Sequence, residues 1–90
     1  MDEIDRIRTP MAADDATESA VLQQVLALHP AQVTAAELAR EVGGESPGFA
    51  ERDAIERAVR DLTGAGLLHS RDGFVLPTRA ALRFSELLDR

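Results

Sequence analysis

The chain contains no cysteine, no tryptophan, no tyrosine and no lysine. Without cysteine there is neither a disulfide framework nor a thiolate metal site, and such usage fits a reducing compartment. Aromatics are scarce: Phe49, Phe74 and Phe84 are the three present, so Leu, Val, Ile and Ala must supply most of the packing. No apolar run approaches the roughly 20 residues of a membrane span. The first residues, Met1-Asp2-Glu3-Ile4-Asp5, lack the basic-then-apolar pattern of a signal peptide. These absences lead to the expectation of a cytoplasmic chain that makes no membrane contact.

What is present suits one small domain. Ninety residues, 44% of them apolar, allow a single core and no second one. The formal net charge is −6. Residues 1–15 hold five acids and two bases, and residues 16–90 hold eleven acids and eight bases, so each part contributes −3. Strong non-specific binding to nucleic acid needs a basic face, and this balance opposes it. All ten bases are arginine, and each is able to make planar, bidentate contacts.

Local signals order the chain. Residues 1–14 read as a disordered acidic tail by composition, with Thr9-Pro10 interrupting any helix begun around Ile4 and Ile7. Residues 15–90 read as the folded domain. Asp15-Ala16-Thr17-Glu18 has capping-box spacing, and Val21, Leu22, Val25, Leu26 and Leu28 then share one helical side. Pro30 ends this first helix. Thr34-Ala35-Ala36-Glu37 is a second capping box, with Leu38, Ala39 and Val42 on the buried side and Gly43 as the stop. A loop over Gly44-Glu45-Ser46-Pro47-Gly48 follows, although Ser46-Pro47 also suits a cap and first helical position. The next helix runs from about Ala50 to Gly64, with Ile55, Ala58, Val59 and Leu62 inside. Gly66 is a left-handed stop. Asp72-Gly73 between β-compatible runs marks a two-residue hairpin. Thr78 caps a last helix, Arg79 to about Asp89, whose polar ridge is Arg79, Arg83, Glu86 and Arg90.

This order resembles the winged helix-turn-helix domain. The local wording fits as well: Val33-Thr34-Ala35-Ala36-Glu37-Leu38-Ala39, then Ile55-Glu56-Arg57-Ala58-Val59-Arg60-Asp61-Leu62, then Gly66-Leu67-Leu68. It is similar to small bacterial winged-helix proteins, actinobacterial ones among them, over about Ala16 to Leu88. The resemblance implies an α+β, mostly α fold: a three-helix core, a β-hairpin wing and a C-terminal helix. It places Gln32-Val33 in a one- or two-residue strand beside the hairpin. It implies a DNA-binding transcriptional regulator whose third helix enters the major groove. Arg57 and Arg60 then read bases or hold phosphate, while Arg52 and Arg71 steady the backbone. The alternative is an acidic winged-helix protein–protein interaction module that binds no DNA. A third reading is a solvated face. Arg52/Glu56, Glu56/Arg60, Arg57/Asp61 and Asp53/Arg57 are opposite charges four apart, and such pairs stabilise a helix by about 0.2–0.5 kcal/mol each.

Chemistry beyond binding finds little footing. His29 and His69 are forty residues apart with no thiol nearby. Gly43-Gly44 lacks the lysine of a phosphate loop. No nucleophile has a plausible base, so no enzyme, metal or cofactor is expected. The last helix has a wide apolar side, from Ala80 and Ala81 through Phe84 to Leu87 and Leu88. One small core does not obviously cover it, and the expectation is a homodimer with Phe84, Leu87 and Leu88 at the seam.

Overall fold

The computed structural model describes residues 10–44 and 46–89, with side chains from residue 14 onward. Among these residues the chain forms a small α+β fold of four helices and one three-stranded antiparallel sheet, an architecture compatible with a winged helix. Helix α1 spans Pro10–Leu28, strand β1 Val33–Thr34, helix α2 Ala35–Gly43 and helix α3 Phe49–Gly64. Strand β2 (Leu68–Arg71), strand β3 (Phe74–Pro77) and helix α4 (Arg79–Leu88) follow. The sheet order is β1-β3-β2. The expected tail lies, for residues 1–9, outside the described residues.

Each junction has a local chemical cause. Thr34 ends β1 and caps α2. Its hydroxyl accepts the Glu37 backbone N–H at 3.1 Å, and the Glu37 carboxylate accepts the Thr34 N–H at 2.8 Å. Those bonds, the backbone one first, hold the Glu37 carboxyl below its usual range. Helix α3 ends in a reciprocal pair of bonds. Leu67 N–H reaches the Leu62 carbonyl at 2.9 Å and Gly66 N–H the Thr63 carbonyl at 3.1 Å. This Schellman geometry needs a left-handed residue, and Gly66 supplies it at φ 86°. The hairpin turn has φ 53° at Asp72 and 85° at Gly73, the two positive values of a type I′ turn. It brings Arg71 opposite Phe74. Thr78 is the last joint. Its hydroxyl donates to the Gly66 carbonyl at 2.7 Å and accepts the Ala81 N–H at 3.2 Å, so one side chain ties the hairpin base to the start of α4.

The core is aliphatic throughout. Val21 and Val25 of α1 pack with Leu38 of α2, Ile55 and Leu62 of α3, and Leu68 and Val75 of the hairpin. The aromatics stand aside: Phe49 is 80% exposed and Phe84 57%, while Phe74 is half-buried. Leu, Val, Ile and Ala thus supply the packing, as the scarcity of aromatics implies.

Several boundaries also move. Helix α1 begins at Pro10, so Asp15 lies inside it and is not its cap. A proline is tolerated in a first helical turn because its missing N–H has no intrahelical partner there. Helix α2 includes Gly43, and Gly44 takes the positive φ of 98°. Helix α3 starts at Phe49 behind Gly48, and Ser46 makes no cap. Val59 is half-buried, packing against the core from its edge.

A core this thin leaves a stability margin of order 5 kcal/mol. Leu62, 4% exposed between α1 and the hairpin base, is a stringent probe of it. Leu62→Ala should cost about 2–5 kcal/mol, read as a large fall in the urea midpoint. A loss below 1 kcal/mol would contradict the packing described.

Candidate functional site: the outer face of the third helix

Helix α3 buries Ile55, Ala58 and Leu62. On a helix that turns 100° per residue, positions 49, 53, 56, 57 and 60 fall on the outer side and position 52 at its margin, and all six are exposed. Arg57 and Arg60 lie on that outer side, and Arg52 stands at its margin near the start of the helix. The fourth expected contact, Arg71, sits apart at the end of β2 and is also exposed.

The three α3 arginines are not equivalent. Arg57 is bound on two sides, by Asp53 at 2.9 Å one turn earlier and by Asp14 of α1 at 3.5 Å. Among the described residues Arg52, Arg60 and Arg71 make no ion pair. Of the four oppositely charged pairs expected at spacing four, Asp53/Arg57 alone closes to within bonding distance. The pair is about half-exposed on both sides, so it adds little stability. Its effect is positional, because it turns the guanidinium toward α1 and α3.

Acids surround this arginine. Asp14 and Glu18 of α1 and Asp61 of α3 share the seam between the two helices with Arg57. Burial pushes the Glu18 carboxyl above its usual range, and the charges of Asp61, Asp15 and Asp14 add to it, as does a hydrogen bond to Asp61. The Arg57–Asp14 contact is tertiary, and helical spacing gave no sign of it.

A second feature escaped the sequence reading. Ala35, Ala36 and Ala39 of α2 form a shallow floor beside Phe49, Arg52, Asp53 and Glu56 of α3, enclosing about 360 Å³. Phe49 stands at its edge, the most exposed large apolar side chain described. The signal was available. Phe49 follows the Gly48 break, and on the α3 wheel it falls among Arg52, Asp53 and Glu56, away from Ile55 and Leu62.

The expected seam residues also lie on the surface. Phe84, Leu87 and Leu88 are 57%, 49% and 68% exposed. Among the described residues no group of three or more His, Cys, Asp or Glu side chains is placed to hold a metal ion. No described helix is long and apolar enough to cross a membrane. Comparisons with protein-family models, with curated proteins and with solved structures find no match.

The acidic seam has a testable consequence. A carboxyl whose folded value is raised favours the fold while protonated, and that contribution is lost as pH rises through the raised value. Ionised Glu18 is therefore unfavourable at neutral pH. Glu18→Gln should raise the urea midpoint at pH 7 by a small amount, within about 0.5 kcal/mol for so accessible a site. The advantage should shrink as pH falls through the carboxylate range. A variant less stable than the parent at pH 7 would contradict the arrangement.

Proposed function

We propose that this chain is a winged-helix module that acts by binding, works as a homodimer, and takes a protein partner on the outer face of α2 and α3. The winged-helix reading is supported by the element order and by β1 lying in one sheet with the hairpin. The observation that carries the choice of partner is the acidic setting of Arg57, the central base of the presented helix, with Asp53 and Asp14 in contact with it and Glu18 and Asp61 beside it.

Electrostatics support the same choice. Helix α3 carries Glu51, Asp53, Glu56 and Asp61 against Arg52, Arg57 and Arg60, a sum of −1. A duplex in contact with this helix meets acids at the same depth as the bases, so release of counterions brings little gain. A protein surface has no such uniform charge. It is able to match interleaved signs and to cover the exposed Phe49 ring, and aromatic anchors of this kind dominate protein interfaces.

Duplex DNA is the second reading. It is favoured by Arg52, Arg60 and Arg71, which lack ion-pair partners among the described residues. In that reading Arg60 and a released Arg57 contact bases, each bidentate contact being worth about 1–3 kcal/mol, and a two-fold dimer presents two copies of α3.

One pair of experiments separates the readings. Wild-type protein is titrated against random and genomic duplexes by fluorescence anisotropy over a range of salt. The protein reading expects affinity at or weaker than the roughly 10⁻⁴–10⁻⁶ M of ordinary non-specific binding. It also expects tighter binding from the double variant Asp53→Asn, Glu56→Gln, which lifts the repulsion. A photoreactive residue at position 49 should form a covalent adduct with another protein in cells. Tight duplex binding by the wild type, abolished by Arg57→Ala with Arg60→Ala, would overturn the protein reading in favour of DNA.

A further inference from the structure

The recess between α2 and α3 is open because its floor is built from methyl groups. Ala35, Ala36 and Ala39 lie on one side of α2, at spacings of one and four, and none carries an atom beyond Cβ. The volume of about 360 Å³ is at the small end of the range that holds a compact ligand, with room for one large side chain. Phe49, 80% exposed, stands at the edge. An apolar group laid between the alanine floor and this ring takes both surfaces out of water together.

Charge decides what carries that apolar group. Arg52, Asp53 and Glu56 line the recess, and along the seam of α3 with α1 the acids Asp14, Glu18 and Asp61 stand beside Arg57. With Arg60 on the same outer side, this face holds five acids and three bases, a sum of −2. The whole chain, at −6, adds a field of the same sign. Glu56 is exposed and makes no ion pair among the described residues, although Arg52 and Arg60 each lie four positions from it. Its carboxylate is therefore available to a base brought by a partner.

We propose that the partner on this face is a net-basic segment of another protein, which lays one large apolar side chain on the alanine floor against Phe49 and sets a lysine or arginine beside Glu56. The proposal rests on the protein reading above and names the partner's chemistry. A second base on the segment falls toward the seam of Asp14, Glu18 and Asp61, and an acceptor oxygen answers Arg52. Apolar burial supplies affinity, whereas charges at the rim act on encounter rate and on the choice of partner. An acidic segment with the same apolar side chain is thus turned away.

A displayed library of random linear peptides, selected on the immobilised protein at low salt, tests this directly. Enriched peptides should carry net positive charge around one Phe, Trp, Leu, Ile or Met. Once synthesised, they should shift the amide signals of Ala36, Phe49 and Glu56, and their binding should weaken as salt rises. Ala36→Gln fills the floor at an exposed position outside the buried core, and should abolish binding with an unchanged circular dichroism spectrum. Glu56→Arg should weaken the basic peptides by about fivefold, the upper end for an exposed ion pair, and strengthen acidic variants of them. Neutral or acidic peptides that enrich and lose binding on Ala36→Gln overturn the basic partner and leave the protein reading standing. Peptides indifferent to Ala36→Gln, or a library that yields none, overturn the recess as the docking site. Tight duplex binding by the same protein overturns the protein reading with it.

Discussion

The fold depends on the burial of one side of α1. Val21 and Val25 are 0% and 2% exposed. Around them gather side chains from α2, α3 and all three strands, among them Val33, Leu38, Ile55, Leu62, Leu68 and Val75. With no aromatic ring in the cluster, each contact surface is small, and the loss of any one branch is felt in a close-packed interior. The same economy explains what is left outside. The buried cluster is drawn from α1, α2, α3 and the sheet, and α4 buries Ala81 alone.

The outer face of α3 follows from a different constraint. Its charges alternate in sign along the helix, so no arginine there is far from an acid. At exposed sites such pairs are weak, and they do not prevent an arginine from changing partners. They do set the average field that an approaching surface meets, and Asp14 and Glu18 of α1 make that field more negative beside Arg57. A polyanion gains little from such a surface. A partner with its own mixed charges and an apolar recess for Phe49 gains more.

Much of the fold was legible because its junctions are marked by short local signals. Thr34 with Glu37, Gly66 after α3, Asp72-Gly73 and Thr78 all announce themselves in that way, and all four perform as their chemistry implies. The same local reasoning misled where a spacing had two meanings. Asp15 to Glu18 has the form of a capping box but lies within a helix that Pro10 opens. Ser46-Pro47 has the form of a helix start, yet Gly48 takes that place. The candidate face of α3 was legible from periodicity. The partner of Arg57 was not, because Asp14 lies on another helix and only packing brings it near.

The two surfaces left open, α3 outside and α4 outside, are joined by a short path. Helix α4 is fixed at its start by Thr78, whose hydroxyl bonds both the Gly66 carbonyl and the Ala81 N–H, and whose N–H bonds the Leu67 carbonyl at 3.0 Å. Gly66 and Leu67 are also the residues that close the end of α3. Among the described residues the far end of α4 has no comparable anchor, and Leu87, Leu88 and Asp89 are all exposed. The direction of α4 is thus set at one end, by the same few bonds that terminate α3 and begin the hairpin.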